Sequence, residues 1–339
     1  TFLNEEEYFV VVPEGAFKKI GTATSSPVIN GYSFLTAAFT RNVFSVGDNS
    51  AGELGQDDKD VARSSPTQIG SNSQYEYASV SKQYGNIVMS LAKDLDSGGN
   101  TLWFTGAAGG GRSGLNVATA YRSSPTQIGG NTNWKSVTIG EKHCIASKTD
   151  NTLWGWGYGD DGCLGLGDSR VVSSPIQIGT DTTWGDQVAV GKNLSAAIKT
   201  DGTLWTWGVG GNGALAHNNT TTLNSPKQVG TDTTWKSLAK GGEYAISMMA
   251  TKTNGTLWAW GSQYQSGSLG LNNTIKYSSP MQIGTDTTWH GISINGGQDE
   301  HAACMALKTN GTLWSWGVGG NGRLGLNNQT QRSSPTQIG

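Results

Sequence analysis

The sequence predicts an all-β fold, a β-propeller of four-stranded antiparallel blades, and three recurring signals predict it. The frame Leu-Trp-x-Trp-Gly occurs at Leu153–Gly157, Leu204–Gly208, Leu257–Gly261 and Leu313–Gly317, with degraded copies at 102–106 and 43–47. An aromatic-x-x-aliphatic start precedes each copy, at Phe17/Ile20, Tyr77/Val80, Trp134/Val137, Trp184/Val188 (one residue longer), Trp235/Leu238 and Trp289/Ile292. A Ser-Pro tract follows each, at Pro66, Pro125, Pro175, Pro226, Pro280 and Pro335, in steps of 50 to 59 residues. Six repeats of that length are too long for a leucine-rich unit and suit a propeller blade.

Each blade reads as four short strands. The aromatic start opens the first, and an alternating run such as Ala196-Ala197-Ile198-Lys199-Thr200 forms the second. Asp201-Gly202, Asn254-Gly255 and Asn310-Gly311 mark the hairpin that follows, where a type I′ turn needs positive φ at both central residues. The Trp frame is the third strand. Its two indoles, at i and i+2, point to one side while Leu204 and Thr206 point to the other. Nothing recurs at a spacing of 3.6, so almost no helix is expected. All 13 Trp fall on repeat positions. A ring that size fills the wedge between neighbouring sheets, removing about 150–250 Å² from water, worth roughly 4–6 kcal/mol as an upper estimate.

Residues 1–16, with Glu5-Glu6-Glu7 before Tyr8-Phe9-Val10-Val11-Val12, read as an N-terminal strand or edge segment, or as the tail of a preceding domain. The propeller spans 17–339, in units of about 17–70, 71–129, 130–179, 180–230, 231–284 and 285–339. Six starts and six tracts suit a six-bladed ring in which the final tract joins the first unit's sheet. A seventh start would fall nine residues after Pro335, by the spacing of Pro280 and Trp289, which leaves seven blades open.

Composition excludes more than it assigns. Charged residues are 14%, the net charge is −2, and no run of Lys or Arg offers a nucleic-acid footprint. No apolar stretch reaches 18 residues, so no membrane insertion is expected. Cys144, Cys163 and Cys304 have no local pairing, which disfavours a disulfide framework and a thiolate zinc site. Gly-x-Gly-x-x-Gly occurs at Gly157-Gly159-Gly162, Gly208-Gly210-Gly213 and Gly317-Gly319-Gly322. Leu-Gly-Leu or a variant of it follows instead of a helix, so these are loops at strand ends and not dinucleotide sites. Asp94-Leu95-Asp96-Ser97-Gly98 lacks the later acids of a calcium loop and reads as an enlarged turn. Asp181, Asp232 and Asp286 repeat in Gly-Thr-Asp-Thr-Thr-Trp as turn caps. His143, His217, His290 and His301 complete no metal or catalytic set. No cofactor, metal or catalytic residue is expected.

The combination of Trp-x-x-Val, an Ala-rich strand, Gly-Thr-Leu-Trp-x-Trp-Gly, Gly-x-Leu-Gly-Leu and Ser-Ser-Pro resembles repeats of the regulator of chromosome condensation family. The resemblance covers about residues 17–339 and is strongest in units three to six. Kelch repeats share the length, and Gly241-Gly242 and Gly296-Gly297 resemble their double glycine, but the Leu-Gly-Leu and Ser-Pro tracts suit the former family better. The resemblance implies a ring, typically of seven blades, that works by binding proteins. The family's nuclear founder exchanges nucleotide on a small GTPase and docks on nucleosomes, and others sense light, sit in ubiquitin ligases or inhibit β-lactamases. The near-identical, Asn/Thr/Gly-rich units look like bacterial or phage versions of the family.

The expected function is therefore a non-enzymatic scaffold presenting loops to a protein or glycan, within a larger assembly such as a virion or cell surface, with a cytoplasmic site left open. Regulation of a small GTPase is the alternative. The loop residues expected to meet a partner are Tyr158, Asp160, Asp161, Asn212, Gln263, Tyr264 and Asn321.

Overall fold

The computed structural model describes residues 9–11, 17–19, 44–47, 49–69, 75–81, 87–94, 96–239, 247–263, 267–295 and 302–339. The chain divides into two units, Thr1–Arg41 and Asn42–Gly339. In the first, β1 (Phe9–Val11) pairs antiparallel with β2 (Phe17–Lys19), Val11 lying opposite Phe17. The second unit is the propeller. Blade one contributes β3 (Phe44–Gly47) and β4 (Arg63–Gln68). Blade two is β5 (Tyr75–Ser81), β6 (Ile87–Lys93), β7 (Asn100–Ala108) and β8 (Ala120–Gln127). Blade three is β9 (Trp134–Ile139), β10 (His143–Lys148), β11 (Leu153–Gly157) and β12 (Val172–Gln177). Blade four is β13 (Trp184–Val190), β14 (Leu194–Lys199), β15 (Leu204–Gly208) and β16 (Leu223–Gln228). Blade five is β17 (Trp235–Leu238), β18 (Ser247–Lys252), β19 (Leu257–Gly261) and β20 (Tyr277–Gln282). Blade six is β21 (Trp289–Asn295), β22 (Ala303–Lys308), β23 (Leu313–Gly317) and β24 (Arg332–Gln337).

Blades two to six are four-stranded antiparallel sheets in strict chain order. Short 3-10 turns, and no α-helix, occur among the described residues. The first strands of blades two to five touch one another in succession, which places them nearest the axis. The last Ser-Pro strand, β24, pairs with β23 of its own blade, and β4 pairs with β3. The expectation that the final tract would join the first sheet is therefore corrected: each unit closes its own blade.

Two local readings also change. The hairpin at Asp201-Gly202 is a type I turn followed by a left-handed residue, not a type I′ turn. Gly202 N–H donates to the Lys199 carbonyl (3.0 Å), and Gly202 (φ +80°), but not Asp201, has positive φ. Asp201 Oδ1 instead accepts from Thr203 N–H and Oγ1–H, at 2.9 and 2.7 Å, fixing the turn from its side chain. In blade two the slot of Trp134, opposite Lys148, belongs to Tyr75, opposite Ala92, and not to Tyr77.

The junctions between blades explain the repeated residues. The second Trp of each frame is fully buried and reaches into the preceding blade. Its Nε1–H donates to Arg112 O (3.0 Å) from Trp156, Cys163 O (2.9 Å) from Trp207, Ala214 O (3.0 Å) from Trp260 and Ser268 O (2.9 Å) from Trp316. The Ser-Pro strand meets the same loop from outside. Asn116, Asn218 and Asn272, all left-handed, send N–H groups to Ser173 O, Ser278 O and Ser333 O at 2.7–2.8 Å. Gly213 must be glycine: a Cβ there would lie 2.5 Å from Ser278 Cα, with φ at +76°. The small serines and the loop glycines fit each other.

Candidate binding face

The turns between first and second strands and the loops between third and fourth strands emerge on one side of the propeller. Tyr158 N–H donates to Lys142 O (3.0 Å), Val209 N–H to Asn193 O (2.8 Å) and Val318 N–H to Ala302 O (3.0 Å), tying loop to turn in blades three, four and six. The loops then pass through one 3-10 turn, at Asp160–Gly162, Gly211–Gly213 and Gly320–Gly322.

This framework fixes what the expected contact residues do. Asp161, Asn212 and Asn321 occupy one equivalent left-handed position, with φ of 57°, 60° and 57°. Asp and Asn tolerate that conformation better than other side-chain-bearing residues, so the backbone alone accounts for their type. Asp161 also bridges to blade four, accepting from Asn193 Nδ2 at 2.8 Å, and Asp160 lies 3.4 Å from Lys142 Nζ. Asn212 accepts from Lys276 Nζ of blade five at 2.7 Å. The Tyr158 ring covers Gly110 of blade two, where a Cβ would fall 1.9 Å from the ring. The structure thus brings Tyr158, Asp160 and Asp161 together and spreads Asn212 and Asn321 around the same face.

Gln263 is corrected. It is 2% exposed, its Nε2 donates to Ile275 O (2.7 Å) and its Oε1 accepts from Leu269 N–H (3.2 Å). It closes its own loop from inside, because a buried amide needs both its donor and acceptor sides satisfied. Tyr264 lies outside the described residues.

Beneath the face, His143 and Ser195 form a sealed polar link between blades three and four. His143 Nε2 lies 2.7 Å from Ser195 Oγ, which donates to Cys163 O at 2.8 Å. Ser195 has one proton to give, so Nε2 is the protonated ring nitrogen. Burial pushes the His143 pKa down to about 3, leaving the ring neutral. Both side chains are fully buried, so this Ser–His pair joins blades and cannot attack a substrate. Burial likewise raises the thiols of Cys144 and Cys163 to about 12, and all three cysteines are free. No three His, Cys, Asp or Glu among the described residues are placed to hold a metal, and Asp94 caps its own turn through Asp96 N–H (2.9 Å).

Near the hairpin turns the blades repeat a cluster that was not anticipated. Lys148, Lys199, Lys252 and Lys308 each place Nζ over two indoles of their own blade. The nearer ring, Trp154, Trp205, Trp258 or Trp314, is 3.7–4.0 Å away, and the farther, Trp134, Trp184, Trp235 or Trp289, is 4.6–4.9 Å away. Asp181, Asp232 and Asp286 pair with the last three of these lysines. The same aspartates cap the entry turn, as expected, through Thr183, Thr234 and Thr288. Burial alone would raise the Asp232 carboxyl, but bonds from Lys252 and Thr234 hold it below its ordinary value. Two equivalent cavities of about 450 and 460 Å³ adjoin Lys252 with Trp258 and Lys308 with Trp314. The Lys-Thr pair at 148, 199, 252 and 308 recurs at a fixed distance before the Trp frame, a signal that could have revealed the cluster.

The fold and its junctions define a tandem-repeat β-propeller whose framework groups are spent on one another. Comparison with known proteins gives the kind of repeat. The Regulator of chromosome condensation (RCC1) repeat matches residues 134–163, 150–198, 201–247 and 310–339. The chain is 28% identical over 302 residues to the ultraviolet-B receptor UVR8 of Arabidopsis thaliana, covering 87% of this chain and 65% of the receptor. It is 29% identical over 248 residues to the E3 ubiquitin-protein ligase HERC2 of Homo sapiens, covering 70% of this chain but 5% of the ligase. Among solved structures, human WBSCR16 superposes with a TM-score of 0.70 at 18% identity, covering 88% of this chain and 78% of the other. Prp20p from Saccharomyces cerevisiae superposes with a TM-score of 0.69 at 18% identity, covering 88% and 73%. The repeats of this chain are RCC1 repeats, and its propeller is of the RCC1 type.

Proposed function

We propose that this propeller is a non-enzymatic module that binds a protein partner through the loop face of blades three and four. One observation carries the reading. Framework positions repeat almost without change, whereas the blade-three loop departs from its copies in chemistry. Tyr158, Asp160 and Asp161 stand where blades four and six have Val, Gly and Asn: Val209, Gly211 and Asn212, then Val318, Gly320 and Asn321. A scaffold needs none of these differences. Together with Lys142 and exposed Lys192 they make a mixed-charge patch around one aromatic ring, the composition of a polar protein interface. The structural neighbour Prp20p, described by its binding to Gsp1p and histones and also solved with Kap60, supports a protein as the partner class. Nucleotide exchange on a small GTPase rests on family analogy, and no residue of this face favours it. A place on a virion or cell surface belongs to the same proposal and draws only on the polar, low-charge composition.

The copies supply the test. The triple variant Tyr158→Val, Asp160→Gly, Asp161→Asn gives blade three the loop residues that blades four and six already fold with. It is expected to melt like the parent and to lose captured partners in a quantitative pull-down, with affinity falling at least tenfold. Equal capture by both proteins would remove the face from consideration.

A further inference from the structure

The two ends of the propeller expose the two halves of one blade junction. On blade six, Met305, Leu307 and Leu313 are 38%, 37% and 38% exposed. Register places them in the slots of Ile145, Ser147 and Leu153 of blade three, which are all 0% exposed against blade four. The rest of the junction equipment is present on the same edge. The Arg323 carbonyl stands in the acceptor slot of Arg112, Cys163, Ala214 and Ser268, and its guanidinium bonds Gly320 O as that of Arg112 bonds Gly109 O. Arg112 also sends Nη1 across its junction to Glu141 O at 3.0 Å. A Cβ on Gly322 would meet nothing within 4 Å, whereas its copies at Gly213 and Gly267 press on the next blade's serine.

Blade one exposes the complementary half. Val46 is 54% exposed and sits in the slot of the buried wedge indoles, since Gly47 pairs with Arg63 as Gly157 pairs with Val172. Ser64, in the slot of the acceptor Ser173, is exposed too. Socket and plug therefore do not cover each other within one molecule. We propose that they join two copies of this chain head to tail, blade six of one receiving blade one of the next through the contacts that join successive blades. The interface is heterologous, so copies can add in series.

Light scattering coupled to size-exclusion chromatography tests this over a wide concentration range. Molar mass is expected to rise with concentration in the parent, and Leu313→Asp, at an exposed position, is expected to remain a folded monomer by circular dichroism. Val46→Trp restores an indole N–H facing the Arg323 carbonyl and is expected to assemble at roughly tenfold lower concentration. A monomer at every concentration overturns the proposal. In that case a reactive thiol in Leu313→Cys means the face is bare, and a protected one means the chain covers it itself. Assembly indifferent to both Leu313→Asp and Val46→Trp overturns it equally.

Discussion

At the residue scale, two side chains are held where their chemistry is unfavourable. His143 is neutral because burial lowers its pKa to about 3, against about 6.5 in an unfolded chain. Above pH 6.5 neither state carries the proton and there is no penalty. As pH falls below that, the unfolded chain protonates first, so folding loses stability steadily down to about pH 3. Blade four carries Leu194 in the same slot, also buried, so His143→Leu is expected to fold and to flatten this acid limb. Urea midpoints measured from pH 7 to 4 in both proteins check it, and parallel curves refute the assignment. Ala216 is the second case. It adopts φ +63° where other blades have Gly165 and Gly270. Ala216→Gly removes a left-handed cost of roughly 1–2 kcal/mol and adds about 0.4–1 kcal/mol of unfolded-chain entropy. A net gain of about 0.5–1 kcal/mol in chemical denaturation is expected, although glycine substitutions usually destabilise.

At the element scale, the two tryptophans of one strand do different work. Trp260 is fully buried and bonds the preceding blade, whereas Trp258 is partly exposed and its Nε1–H goes to Thr256 two residues earlier at 2.8 Å. Trp260→Ala is expected to cost about 3–5 kcal/mol, since it opens a cavity and removes an interblade donor. Trp258→Ala should cost clearly less, and thermal melts of the pair would expose an error if the order were reversed. The sequence made the strand and the shared side of both indoles legible, because alternation is local. It did not separate wedge from clamp, because that difference arises in the neighbouring blade, some 45 residues away in the chain. The hairpin was located correctly and typed wrongly for a related reason. Asp201 was read for its backbone tolerance, while its carboxylate and Thr203 set the turn.

At the scale of the whole molecule, period and strand content were readable because every unit solves one packing problem with one set of residues. The candidate face was less readable. Asn212 and Asn321 drew notice as loop residues, and their left-handed backbone explains them; Gln263 sat in a loop and faced inward. Tyr158, Asp160 and Asp161 stand out only when copies are compared at matched positions. The junctions also predict that units are interchangeable. Deleting residues 180–230 joins Gly179 to Thr231, which restores the Gly-Thr-Asp-Thr-Thr-Trp passage, and brings the Trp260 indole to the Cys163 carbonyl. The shortened protein is expected to fold, with a far-ultraviolet β spectrum and a cooperative melt; aggregation or loss of cooperativity would show that blade four is indispensable.

That modularity follows from the pairing of β24 with β23. Since no strand of the last blade is lent to the first, a duplicated or lost stretch of gene leaves no sheet short of a member. Such a lineage can change its number of blades by recombination in a single step, and natural variants are then expected to differ by whole multiples of the period.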